Sequence, residues 1–173
     1  MKEFITEEMR VATRYQSHLP ALIACVMDSY GINHLPVLEI GIGHFSTPQL
    51  RALCGTLRSL ISVESNEEWR ELFKAKYPSD RHRILASLDE VTAVAFDVVF
   101  IDDSPGGSNR ANHFNRFINC SKYVVVHDYH YDNEEHIAPI LDAHRDINWR
   151  IINTYEPPTL IASALVKVDH LHL

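Results

Sequence analysis

Apolar and polar positions follow two different periods along this chain. Short β-rich runs alternate with stretches in which apolar residues recur every three or four positions. That alternation predicts a parallel sheet with helices on both faces. Residues 1–31 read as helix, with Met9, Ala12, Tyr15, Leu19, Leu22, Val26 and Tyr30 on one stripe. Pro20 lacks an amide donor and predicts a break near Ser17–Pro20, giving two shorter helices stopped by Gly31. Buried strands are expected at residues 35–40, 60–63, 83–85, 96–101 and 123–126. Two more, at 151–155 and 160–166, flank Glu156-Pro157-Pro158-Thr159, which makes them an antiparallel pair.

The helices between the strands carry their own start and stop signals. Thr47 reads as an N-cap with Pro48 in the first turn, and Gly55 closes that helix. Ser65-Asn66-Glu67-Glu68 is a capping-box pattern ahead of Trp69, Leu72, Phe73 and Tyr77, the expected buried face; Pro78 ends it. Phe114, Phe117 and Ile118 face inward from a further helix. Ile137, Ile140, Leu141 and His144 mark the last, expected to begin near His136 with Pro139 in its first turn. Trp149 is expected just ahead of the sixth strand and partly exposed. The whole reads as one α/β domain over residues 1–173, a Rossmann-like doubly wound seven-stranded sheet, mostly parallel with one antiparallel strand.

Composition narrows the classes of function. The 173 residues suffice for one buried core without a disulfide or a structural metal. The net charge of −7 argues against a nucleic-acid binder, which needs a basic face. The acidic start, Met1-Lys2-Glu3-Phe4-Ile5, lacks the apolar core of a leader, and no apolar run is long enough for a membrane span. A cytoplasmic protein is therefore expected. Cys25, Cys54 and Cys120 are odd in number, widely spaced and set in apolar stretches, as reduced core thiols would be.

The candidate chemistry lies at the carboxyl ends of the strands, where open α/β sheets bind ligands. The first strand ends in Glu39 and the loop Gly41-Ile42-Gly43-His44, the second in Glu64, the fourth in Asp102-Asp103, and the fifth in His127-Asp128. Gly41 and Gly43 permit a tight turn and a close ligand approach. The amides of the following helix favour an anionic group. The dinucleotide fingerprint is incomplete, because Ser46 stands where its third glycine belongs. Glu64 takes the position of a carboxylate that grips a ribose diol. His127 and His130 are candidate bases, and His127-Asp128-x-His130 would also suit a transition ion. The polar loop at residues 103–110 could serve as a lid, with Arg110 as an anchor for an anionic substrate.

At these positions the chain resembles the class I S-adenosylmethionine-dependent methyltransferases. Residues 37–43 look like their first motif, Val63-Glu64 like the second and residues 96–102 like the fourth; the likeness covers residues 35–168. It implies S-adenosyl-L-methionine as cofactor, held by Glu39, Gly41, Gly43, His44, Thr47, Glu64, Ser65, Ser87, Leu88 and Asp102. It implies methyl transfer; the candidate catalytic residues are Asp102, Asp128, His130 and His127, read from their places beyond the fourth and fifth strands. Net charge and the Asp102/Asp128 pair favour a hydroxyl of a small molecule or glycan as acceptor. A partial resemblance to metal-dependent O-methyltransferases of the catechol and caffeoyl-CoA type would make Asp102 and Asp128 ligands for Mg²⁺. The chain departs from that group at Tyr129, where an Asn is usual, and at Pro105, where a lysine is usual. Other readings stay open: another S-adenosylmethionine-using enzyme such as a lyase or aminopropyl transferase, a non-catalytic cofactor-binding subunit, or a nicotinamide enzyme. With no separate substrate domain, the acceptor would be selected by the N-terminal helices, the loops at 103–110 and 129–136, or a second copy in a homo-oligomer.

Overall fold

A computed structural model of the chain describes residues 16–30, 34–130, 132–171 and 173. The helix expected in residues 1–15 and the Gly31 stop lie outside the described residues. In chain order the elements are α1 (Leu19–Asp28), β1 (Val37–Ile40), α2 (Ser46–Cys54), β2 (Leu60–Val63), α3 (Glu67–Lys76), β3 (His82–Leu85), a 3₁₀ turn (Leu88–Glu90), β4 (Phe96–Ile101), α4 (Ser108–Phe117), β5 (Ser121–Val126), α5 (Asp132–Ala143), β6 (Asn148–Ile152) and β7 (Thr159–Ser163). One sheet contains all seven strands in the order β3-β2-β1-β4-β5-β7-β6. β1 to β5 run parallel, and β7 is antiparallel to both β5 and β6. The chain winds outward from β1 to β3, then returns to β4 beside β1, so the switch point lies between β1 and β4.

The two-residue period of the strands builds two cores. Leu38, Ile40, Val99 and Ile101 face the side covered by Phe114 and Phe117 of α4 and Ile137 and Leu141 of α5. Val37, Val98, Phe100, Tyr123 and Val125 face the other side, under Leu22 and Val26 of α1 and Leu50 and Cys54 of α2. Cys25 and Cys54 are buried free thiols and Cys120 is half-buried, as expected.

Helix α1 is clasped at both ends by β5. At its far end the Asp28 carboxylate accepts from Lys122 Nζ (2.9 Å), Tyr123 OH (2.5 Å) and His170 Nε2 (3.0 Å). At its start Ser17 Oγ lies 3.0 Å from His127 Nε2, just beyond the end of β5. Pro20 sits in the first turn of α1, where its missing amide costs nothing.

Several local expectations are corrected. Helix α2 starts at Ser46, and Phe45 holds the cap position without a side-chain bond, because the Thr47 hydroxyl turns inward to Glu39. Asn66 caps α3 by accepting from Trp69 N (3.0 Å), and Leu72 is exposed while Phe73 carries the buried face. Helix α5 starts at Asp132, so Pro139 falls inside it; Asp132, Glu134 and Glu135 favour this start through the helix dipole. The sixth strand ends at Ile152, where its pairing with Thr159 closes the hairpin, and Trp149 lies within it, half-exposed.

Candidate functional site

Gly41 is the pivot of the site. Its amide bonds Val63 O (2.9 Å), and Asp102 N bonds Ile40 O (2.8 Å), so the ends of β2, β1 and β4 are laced side by side. The Gly41 φ of +90° suits glycine, and a Cβ there would lie 2.6 Å from Asp102 O. No side chain fits between the two strand ends. The loop beyond is tied by Trp69 Nε1, which donates to Ile42 O (2.8 Å). His44 is exposed and packs edge-on against Trp69.

Glu39 lies beneath this loop and is fully buried. Ser46 Oγ (2.7 Å) and Thr47 Oγ1 (2.8 Å) donate to its Oε1, and Ser62 Oγ (2.6 Å) donates to Oε2. Burial pushes its carboxyl up to about 7, although the three hydroxyl donors oppose the rise. The chain of bonds continues from Ser62 Oγ to His82 Nε2 (2.8 Å) and from His82 Nδ1 to Arg51 Nη1 (3.2 Å). Burial, then the Arg51 charge, holds His82 down to about 4. With both oxygens engaged, Glu39 acts as a brace under the glycine loop rather than as an open ligand.

A cleft of about 560 Å³ opens at the switch point. Of the expected cofactor residues, Gly41, Glu64, Ser65, Ser87, Leu88 and Asp102 line it. Glu64 Oε2 accepts from Ile42 N (3.3 Å) and Oε1 from Asn66 N (2.8 Å), which holds the carboxylate over the cleft with lone pairs to spare. Ser87 turns its hydroxyl to Asp89 N (3.1 Å) and caps the 3₁₀ turn, which sets Leu88 on the wall. Thr47 and Glu39 stand behind the loop; Gly43 and His44 line a neighbouring cavity instead.

That cavity, of about 270 Å³, is lined by Gly43 to Ser46, by Asp102, His127 and Asp128, and by His18 from the start of α1. Asp102 belongs to both spaces. Its Oδ1 lies 3.0 Å from His127 Nδ1. Asp128 is brought to the rim by a left-handed backbone, φ +53°. His130 is absent from the described lining of both cavities. Arg110 is not an exposed anchor. It is buried in α4, donates from Nη1 to His127 O (2.7 Å), and stands between the two aspartates, Nη2 3.2 Å from Asp102 Oδ1 and Nη1 3.8 Å from Asp128 Oδ2. Arg110 stands in the space between the two carboxylates, so Asp102 and Asp128 are not arranged as a pair of ligands to one Mg²⁺.

Sequence reasoning missed four contributors. Asn109, His113 and Arg116 of α4 line the larger cleft, and Asn109 and His113 bind Asp103. His18 was read only as part of a helical stretch. A polar N-terminal half on a helix that follows an acidic strand end was the one signal for α4; His18 had none.

No family model matches this sequence, and no curated protein matches it. Solved structures do. An O-methyltransferase from Bacillus cereus, crystallised with S-adenosylhomocysteine, superposes with a TM-score of 0.65 at 14% identity, covering 85% of this chain and 79% of its own. The O-methyltransferase TomG from Streptomyces achromogenes, involved in tomaymycin synthesis and solved with S-adenosylmethionine, gives 0.61 at 16%, covering 94% and 92%. A ribosomal protein L11 methylase from Lactobacillus delbrueckii subsp. bulgaricus gives 0.63 at 12%, covering 86% and 78%. At these identities the likeness establishes the fold alone, a seven-stranded sheet shared with these methyltransferases.

Proposed function

We propose that this chain is an S-adenosylmethionine-dependent methyltransferase acting on a hydroxyl of a small molecule or glycan. The observation that carries the reading is the meeting of two cavities at Asp102. One has the glycine turn and diol-facing carboxylate of a nucleoside site; the other is lined by His127 and Asp128. The neighbours crystallised with S-adenosylmethionine or its product support the choice of cofactor.

The cofactor supplies an electrophilic methyl group when bound. The chain's own residues do the rest. Gly41 and Gly43 let the backbone approach the methionine part, braced by Glu39 and Thr47. Glu64, with Ser65 beside it, takes the ribose hydroxyls, and Ser87 and Leu88 border the base. His44 closes the mouth of the loop. Asp102 separates donor from acceptor and fixes the His127 ring. His127 and Asp128 orient the acceptor hydroxyl and receive its proton.

The test is a binding and product experiment. Glu64→Ala should weaken S-adenosylhomocysteine binding by roughly tenfold to a hundredfold in calorimetry, the loss expected for two charge-assisted hydrogen bonds. Unchanged affinity would remove Glu64 from the site. Labelled S-adenosylmethionine incubated with hydroxylated acceptors should yield S-adenosylhomocysteine. A methylthio nucleoside as product would overturn methyl transfer in favour of a lyase or aminopropyl transfer.

A further inference from the structure

The smaller cavity holds a feature that the proposed reaction does not use. His18 is buried, 2% exposed, yet among the described residues neither ring nitrogen has a hydrogen-bond partner. A buried imidazole with both nitrogens unsatisfied calls for a ligand. Its ring sits 4.4 Å from that of His127, centroid to centroid, at 67°. His18, His127 and Asp102 each bring one donor atom to within 4.8 Å of the other two. Tetrahedral zinc sites have ligand–ligand edges of about 3.4 Å, so an inward shift of order 1 Å closes the set.

From this geometry we infer a site for a borderline transition cation of the Zn²⁺ class, held by His18, His127 and Asp102, with its open position facing the smaller cavity. Two imidazoles and one carboxylate are the donors such an ion prefers; Mg²⁺ prefers oxygen alone. Arg110 Nη2 and His127 Nδ1 both approach Oδ1 of Asp102, at 3.2 and 3.0 Å. The set differs from the Asp102/Asp128 pair and from His127-Asp128-x-His130, because it recruits a residue from α1. The open position takes an oxygen ligand: water, or the acceptor hydroxyl. That last role rests on the proposed function.

The test loads the full chain, freed of metal by chelator, with Co²⁺, Zn²⁺ or Mg²⁺. One equivalent of Co²⁺ should bind with the visible ligand-field bands of a four-coordinate nitrogen/oxygen site; Zn²⁺ should displace it and Mg²⁺ should not. His18→Ala and His127→Ala should each lower affinity by roughly a hundredfold or more. His18→Cys, which keeps a ligand, should retain binding and shift the bands, so a folding defect is distinguished from ligand loss. His144→Ala, an exposed histidine elsewhere, should change nothing. The site is overturned by hexaaqua-like Co²⁺ bands, by affinity unchanged in His18→Ala, or by loss in His144→Ala. S-adenosylhomocysteine binding, measured on the same loaded and metal-free samples, tests the cofactor reading separately. Its failure with the cobalt bands intact would overturn the methyltransferase role and keep the metal site.

Discussion

Single residues set the site through burial more than through exposed charge. Glu39 and His82 share the Ser62 hydroxyl, and burial shifts their pKa values in opposite directions. Glu39 has a folded pKa of about 7, raised from 4.5. Its neutral form is favoured in the folded state, so its contribution is full below pH 4.5 and is lost as pH rises towards 7. His82 has a folded pKa of about 4, lowered from 6.5. Its contribution is present above pH 6.5 and is lost as pH falls towards 4. Relative to the parent chain, Glu39→Gln should therefore gain stability as pH rises from 5 to 6.5, and His82→Gln should lose it, each by roughly 1 kcal/mol per pH unit. Urea unfolding midpoints across that window read both slopes, and slopes of the same sign would disprove the assignment.

At the scale of elements, the strand ends carry the chemistry and the opposite ends carry the fastening. Arg58, fully buried ahead of β2, donates to Ser29 Oγ (2.8 Å) and Ser29 O (3.0 Å) beyond α1 and pairs with Asp97 of β4 at 3.1 Å. Arg58→Ala strands the Asp97 carboxylate in the core. A loss of about 3–5 kcal/mol in unfolding free energy is expected, with cofactor affinity unchanged by calorimetry because the cleft lies at the other end of the strands.

How much of this was legible depends on the kind of signal each element leaves. β4 was read to the residue, because six apolar-rich positions end abruptly in two aspartates. Gly41, Glu64 and Asp102 were legible as cleft residues, since each follows a strand and strand order fixes where those ends meet; Ser87 and Leu88 were legible only through the family resemblance. The start of α5 was misplaced because Pro139 reads as a first-turn residue, and the acidic turn upstream outweighed it. The roles of Arg110 and His18 were not legible. Arg110 looked like surface charge until α4 packed and aimed it between two aspartates. His18 acquires its meaning only from a partner 109 positions away, and neither periodicity nor spacing records such a contact.

Across the whole molecule, the smaller cavity takes His18 from the start of α1, while the larger cleft is built from strand ends and the helices that follow them. Helix α1 has ten residues, about 15 Å, and is clasped to β5 at both ends. It behaves as a strut rather than a lid: the Asp28 clasp at one end fixes the height of His18 at the other. Asp28→Ala, far from any reacting atom, should then raise the acceptor KM and weaken Co²⁺ binding several-fold while S-adenosylhomocysteine affinity holds. Unchanged values for both would mean that the strut is anchored elsewhere. The same clasp couples two distant places: loosening the Asp28–Lys122–Tyr123 end would shift the wall of the smaller cavity and leave the larger cleft as it is.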